Sequence, residues 1–249
     1  FEGTSCINDP IIISPDLAFR AEATTGEGSI WHPDRNTLFW VDIEGKTLYE
    51  YIPDLQNCRS WQFDRMVSTV VPETDSTVVV ALQNEIIRVN LTDGNTTSIA
   101  PIPDNNGKIR CNDGKCDPSG RLWIGTMGFG APKGLPAFIV YGQTERRNKV
   151  DKSYDLQWDR MVRQQENMYY NDTPTRKIIR FRYDDSSGDI LYDGVGNIPE
   201  APVPGWNDDR LQRQPLGGSM GGGGVYCYNP YTGDLLTKIV VPAPHVASC

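Results

Sequence analysis

The sequence is short of histidine, of basic clusters and of long apolar runs, and each shortage removes a class of function. Only two histidines are present, His32 in a Trp-His-Pro-Asp turn and His245 near the end. Neither follows a Gly-x-Ser-x-Gly elbow, so a Ser-His-Asp covalent mechanism has no carrier, and both read as structural. No block of Lys and Arg is dense enough to track a phosphate backbone, and the formal net charge is −8, which speaks against nucleic acid as a partner. That acidity favours solubility and can concentrate a divalent cation. No apolar stretch approaches the ~20 residues needed to cross a bilayer, so a soluble protein with no membrane partner is expected. Helix-favouring runs of Ala, Leu, Glu and Lys are also scarce.

Cysteine patterning is equally sparse. Six occur, at 6, 58, 111, 116, 227 and 249. Cys111 and Cys116 are separated by four residues rather than two, and the second pair of a structural zinc site is missing. Buried free thiols in a reduced, cytoplasmic compartment are the expectation. Three sequons, beginning at Asn90, Asn95 and Asn171, would matter only in a secreted protein. The run Gly221 to Gly224 lacks the strand and helix context of a phosphate loop. Phe1 in place of Met reads as a chain whose leader or tag was removed, or whose true start is missing.

What the sequence does have is punctuation. With 24 Gly and 18 Pro in 249 residues, turns recur every few positions, which predicts many short strands in one domain over 1–249. Ile11-Ile12-Ile13 reads as a strand closed by Ser14-Pro15. A pattern of strand, turn, strand, turn, strand then runs from Thr25 to Tyr51. It returns over Val67–Val71, Thr77–Leu82 and Glu85–Asn90, and again over Gly114–Asp117 and Leu122–Thr126. Leu156–Trp158, Met168–Thr173 and Lys177–Tyr183 give a fourth copy, and Val225–Tyr228 with Leu235–Val241 a partial fifth. Repeats of roughly 40–50 residues with about four strands each predict a β-propeller, in which each blade covers the apolar face of the next. Loops at the innermost strands of such a ring present side chains to one central pocket. Residues 128–167 and 191–222 break the rhythm and alternate poorly.

The stretch Lys108 to Met127 carries the clearest chemical signal. Arg110, Asn112 and Asp113 are expected just before a strand, ahead of the turn Asp117-Pro118-Ser119-Gly120 and the apolar strand Leu122–Ile124. Polar groups at a sheet mouth can be aimed at a ligand; the alternative is a surface Arg110–Asp113 ion pair with Asn112 capping a turn. Glu27 lies between Gly26 and Gly28, and flanking glycines let the backbone pack closely and turn a carboxylate inward.

Gly26-Glu27-Gly28-Ser29-Ile30-Trp31, Arg110-Cys111-Asn112-Asp113-Gly114-Lys115, Asp117 to Met127, Met168 to Thr173 and Pro230 to Gly233 together resemble the SMP-30/gluconolactonase/regucalcin-like lactonases. The resemblance implies a six-bladed propeller whose last blade is incomplete at Cys249. It implies one divalent cation at the end of the channel, calcium before zinc, manganese or magnesium. A Glu, an Asn and an Asp from different blades hold that ion in the family, and the Asp doubles as general base. Glu27 matches the Glu, while Arg110 and Asn112 match the family's substrate contacts. The other two ligands depart from the pattern. Tyr154 stands at the Asn position, with Asp155 beside it as a substitute oxygen donor. Pro204-Gly205-Trp206-Asn207-Asp208-Asp209 replaces Pro-Asp-Gly-Met, so Asp208 or Asp209 is the expected base and Asp208 the expected ligand. The implied activity is metal-dependent opening of a small sugar-type lactone by a monomer or small homo-oligomer. A non-catalytic calcium- or ligand-binding propeller and a phosphotriesterase-like hydrolase are the alternatives.

Overall fold

A computed structural model of the chain describes residues 9–102, 107–117, 119–129, 138–141, 146–147, 157–161, 167–172, 177–184, 186–197, 216–218, 223–228 and 234–243. These residues form β-strands joined by turns, and a single 3-10 turn, Pro53–Leu55, is the only helical piece among them. β1 is Ile11–Ile13. The first full sheet holds β2 (Gly26–His32), β3 (Thr37–Asp42), β4 (Thr47–Ile52) and β5 (Asn57–Gln62) in that order. The second holds β6 (Val67–Pro72), β7 (Thr77–Leu82), β8 (Glu85–Asn90) and β9 (Thr96–Pro101), and the third β10 (Ile109–Cys116), β11 (Leu122–Gly128), β12 (Phe138–Tyr141) and β13 (Arg146–Arg147). A fourth comprises β14 (Gln157–Met161), β15 (Asn167–Asp172), β16 (Lys177–Asp184) and β17 (Asp189–Asn197). The last joins β18 (Leu216–Gly218), β19 (Gly224–Tyr228) and β20 (Leu235–Val240) to β1, which pairs parallel to β20 with Ile12 opposite Lys238. Every other pairing is antiparallel between neighbours in sequence, the local meander expected of short turns.

Stacking follows from the residues. In β7 the sequence Thr-Val-Val-Val-Ala-Leu is apolar on both faces, which suits a strand covered on two sides. Val78, Val80 and Leu82 join Phe39, Val41, Ile43 and Leu48 of the first sheet in one core. Ala81 and Ile86 join Cys111, Leu122 and Ile124 of the third sheet in another. The second sheet is thus a layer between its neighbours, as the repeat predicts.

Two expectations need correction. Arg110, Asn112 and Asp113 do not precede a strand; they lie inside β10. The irregular segments 128–167 and 191–222 nonetheless contribute β12, β13 and β18, together with the main parts of β14 and β17. Of the thiols, Cys111 and Cys227 are buried as expected, but Cys58 is only half-buried and Cys116 is exposed; all four are free.

Candidate functional site

The first strand of each of the first four sheets carries a register break, and the breaks lie at matching places. In β2 two residues, Gly28 and Ser29, face one residue of β3 between the pairs Glu27–Val41 and Ile30–Phe39. In β6 the extra residue is Ser68, between Val67–Leu82 and Thr69–Ala81. In β10 Asn112 and Asp113 occupy the break between Cys111–Thr126 and Gly114–Ile124. In β14 the break falls between Trp158 and Met161. A bulge bends the strand and re-aims its side chains, a common device beside ligand sites.

The first three bulges touch one another. Gly28, at φ +62, has the backbone of Ser68 and Thr69 about a side chain's contact distance away: a Cβ added there would stand 3.5 Å from the Ser68 carbonyl oxygen. That distance is ordinary contact, and it is the positive φ that glycine answers. The Ser68 hydroxyl donates to the Cys111 carbonyl at 2.6 Å, and the Thr69 hydroxyl to the Gly114 carbonyl at 3.1 Å. At Gly114 an added Cβ would meet the Trp123 carbonyl oxygen at 2.5 Å, so the backbone of the paired strand β11 requires glycine there. The approach to Glu27 is fixed separately: the buried Asp42 carboxylate accepts from the Thr24, Thr25 and Gly45 amides at 2.8, 2.9 and 3.0 Å.

This arrangement brings Glu27 and Arg110 from different sheets into one charged group. Burial pushes the Glu27 carboxyl up to about 8, the Asp113 carboxylate adds to the rise, and the Arg110 guanidinium opposes it. Asp113 is itself pushed up to about 6 by burial, against the pull of Lys115, the Gly114 amide and the Thr69 hydroxyl. Burial also lowers the pKa of Arg110, while Glu27, Cys111 and Glu44 raise it. The Nη1 of Arg110 donates to the Cys111 carbonyl at 2.8 Å and to Asn112 Oδ1 at 2.9 Å. A surface ion pair between Arg110 and Asp113 is therefore not the arrangement: Asp113 is buried, 5% exposed, with its Oδ1 held by the Gly114 amide at 2.8 Å.

Of the residues singled out in the sequence, Glu27, Arg110 and Asn112 come together. Asp155, Asp208 and Asp209 lie outside the described residues. His32 is buried, with Nε2 2.9 Å from the Thr74 carbonyl oxygen, and is structural as expected. Asp113, singled out with Arg110 and Asn112, is buried beside them. The contributions of Ser68 and Thr69 were missed, because their signal was faint: two hydroxyls inside the apolar run Val67–Val71.

Whether a divalent cation suits the residues present can be judged from donor chemistry. Two carboxyls raised by burial, with Asp113 adding to the rise at Glu27, make an oxygen-rich, negative environment of the kind hard cations take. Among the described residues no cluster of three or more Asp, Glu, His or Cys stands ready to hold an ion. Glu27 thus fits as one donor of a set whose remaining expected members are not among the described residues.

Comparison with known proteins bears on fold and family. A protein of Bacillus subtilis provisionally named sugar lactone lactonase YvrE is 29% identical over 242 residues, covering 91% of this chain and 79% of its own. The pentonolactonase XacC of Haloferax volcanii is 27% identical over 182 residues, 71% of this chain and 60% of its own. In fold, the chain matches the calcium-binding protein regucalcin of Agrobacterium tumefaciens with a TM-score of 0.85 at 20% identity, over 96% of this chain and 82% of the other. Residues 25–202 match the family model described as the SMP-30/Gluconolactonase/LRE-like region, and the chain belongs to that family.

Proposed function

We propose that this protein hydrolyses a small sugar-type lactone with the help of one divalent cation, calcium first among the candidates. The observation that carries the reading is the convergence of Glu27 from β2 with Arg110 and Asn112 from β10. Glu27 holds the cation, with Asp155 and Asp208 as the further oxygen donors. When bound, the cation polarises the lactone carbonyl and lowers the pKa of an attacking water. Asp208 or Asp209 accepts the proton of that water as it adds to the carbonyl carbon. The ring C–O bond then breaks, leaving a carboxylate and a hydroxyl on the open product.

Arg110 and Asn112 are placed to hold the sugar. With Nη1 of Arg110 engaged by the Cys111 carbonyl and Asn112, its Nη2 and Nε are the donors left for substrate oxygens. Asn112 Oδ1 accepts from Arg110, so its amide N–H groups face the task of donating to a hydroxyl. We take the stacked sheets as part of a single six-bladed ring, acting as a monomer or small homo-oligomer. The four described free thiols are those a cytoplasmic setting allows.

Calorimetry with calcium, zinc and manganese, combined with a panel of sugar lactones, tests the reading. One ion bound per chain and turnover of at least one lactone are expected, both lost in Glu27→Gln with the fold kept. Unchanged turnover in that variant removes the proposal. Tight ion binding with no turnover transfers support to a non-catalytic calcium-binding role, and turnover of phosphotriesters alone to a phosphotriesterase-like one.

A further inference from the structure

We propose that Ser68 and Thr69 are positioning residues: from the neighbouring sheet, their hydroxyls hold the bulged backbone of β10 and thereby set where Arg110 and Asn112 stand. The inference rests on the reading of Arg110 and Asn112 as substrate contacts.

Five consecutive residues, Val67 to Val71, are buried in β6, and three of them are valine. Ser68 and Thr69 are 0% and 1% exposed. A hydroxyl in such a place is unfavourable unless it is hydrogen-bonded, and valine matches threonine in shape. Both hydroxyls are bonded, and both to the same short piece of β10. In a regular strand, residues 68 and 69 would point to opposite faces. The register break at Ser68 interrupts that alternation and lets both reach one neighbour.

Where they reach matters. The acceptors are the carbonyls of Cys111 and Gly114, which flank the two bulge residues Asn112 and Asp113 on either side. The Thr69 hydroxyl also lies close enough to Asp113 to lower the pKa of its carboxyl. The Cys111 carbonyl receives a second donor, Nη1 of Arg110, and that same Nη1 binds Asn112 Oδ1. A continuous chain of contacts therefore runs from the Ser68 hydroxyl through the Cys111 carbonyl to the guanidinium and on to the Asn112 amide. Tilting the Cys111 peptide by losing Ser68 moves the acceptor that orients Arg110. Losing the Thr69 hydroxyl frees the other end of the bulge. Neither hydroxyl is assigned a contact with substrate; they act through β10.

The test compares Ser68→Ala, Thr69→Val and Thr69→Ser in the cation-loaded full chain. Thr69→Val keeps the shape and removes the hydroxyl, while Thr69→Ser does the reverse. Since Arg110 and Asn112 are read as holding substrate, KM for the best lactone should rise about tenfold in Ser68→Ala and Thr69→Val, with kcat within about threefold. Thr69→Ser should return KM to the wild-type value. KM unchanged in both hydroxyl-less variants overturns the proposal, as does a Thr69→Ser variant as defective as Thr69→Val, because packing of the methyl would then be the cause. Should Thr69→Val fail to fold, Ser68→Ala decides with the same readouts.

A second readout separates this inference from the function it rests on. If the wild type opens no lactone, the proposed activity fails, and the hydroxyls are judged by alkylation of Cys111 with iodoacetamide in the native protein, followed peptide by peptide. Cys111 is fully buried and carries one of the two held carbonyls. About tenfold faster labelling in Ser68→Ala and Thr69→Val, with Thr69→Ser at the wild-type rate, supports the positioning role. Labelling at one rate in all four proteins overturns it.

Discussion

Glu50 and Glu27 are acids of the same sheet, Glu50 fully buried and Glu27 half-buried, and they are treated in opposite ways. Glu50, 0% exposed in β4, receives Arg35 Nε at 2.8 Å, Arg59 Nη1 at 3.4 Å and the Thr37 hydroxyl at 3.1 Å. Asp117 in the third sheet is handled likewise, by Arg121 Nε at 2.5 Å and Trp123 Nε1 at 3.1 Å. In both cases a charge was buried together with cationic partners, which fixes architecture, although Oε2 of Glu50 has only the Arg59 ion pair and no hydrogen bond. Glu27 instead faces a second acid, Asp113, and its one nearby guanidinium is shared with Asn112 and the Cys111 carbonyl. Burial without full compensation is costly, and such sites tend to be where a protein binds or reacts.

Exchanging each acid for its amide breaks the comparison most directly. Glu27→Gln should lower lactone turnover by more than the about 10–100-fold that follows loss of a group merely supporting a metal ligand. Its Tm without added metal should hold or rise, because an uncompensated buried acid is gone. Glu50→Gln should do the opposite. It leaves Arg35 and Arg59 facing no carboxylate and should cost about 3 kcal/mol, a fall in Tm on the order of 10 °C, with kcat/KM of the folded protein unchanged. Thermal melts and steady-state assays on the two variants side by side decide. A large activity loss in Glu50→Gln at full stability would erase the distinction.

Titration sharpens the same contrast. In chelator-treated protein the Glu27 carboxyl is pushed up to about 8 from its ordinary 4.5, by burial first and then by Asp113. A group whose pKa is higher folded than unfolded contributes fully below its unfolded pKa, and that contribution drains away as pH climbs to the folded value. Metal-free wild type should therefore lose stability between about pH 4.5 and 8, by several kcal/mol at most. Glu27→Gln should flatten the decline, and Asp113→Asn should move its upper end to lower pH, since one of the charges raising Glu27 is removed. Denaturant melts at half-unit pH steps measure it; equal slopes in wild type and Glu27→Gln would show that Glu27 is not the group responsible.

How much of this was readable in advance depended on burial. β7 and β8, apolar on both sides, were found with their ends in place at Thr77–Leu82 and Glu85–Asn90. The outer strands β5 and β9 were missed, because Asn57–Gln62 and Thr96–Pro101 are mostly exposed and nothing demands alternation there. β10 was expected to start at Gly114 and begins at Ile109, since Arg-Cys-Asn-Asp reads as loop until hydroxyls from another sheet are there to satisfy it. Glu27, Arg110 and Asn112 stood out because glycines and a neighbouring amide mark them. The burial of Asp113 was not legible, because it is decided by β6, some forty residues earlier in the chain.

The smallest expected effect concerns an ion pair that is neither buried nor functional. Glu73 and Arg88 meet through two guanidinium nitrogens, Nε and Nη2, and both carboxylate oxygens at 2.5 Å, but their side chains remain 27% and 43% exposed. The hydrogen bond from Arg88 and a second from Thr77 hold the Glu73 carboxyl below its ordinary value, against a smaller opposing effect of burial. A depressed folded pKa adds stability above the unfolded value near 4.5, and the gain disappears as pH falls below it. Water screens the pair and both side chains give up freedom to form it, so Glu73→Ala should cost under about 1 kcal/mol at pH 7 and less at pH 3. A loss at pH 7 as large as that of Glu50→Gln would mean that exposure does not separate the two acids, and that the first sheet's buried glutamate owes its importance to something other than being closed off from water.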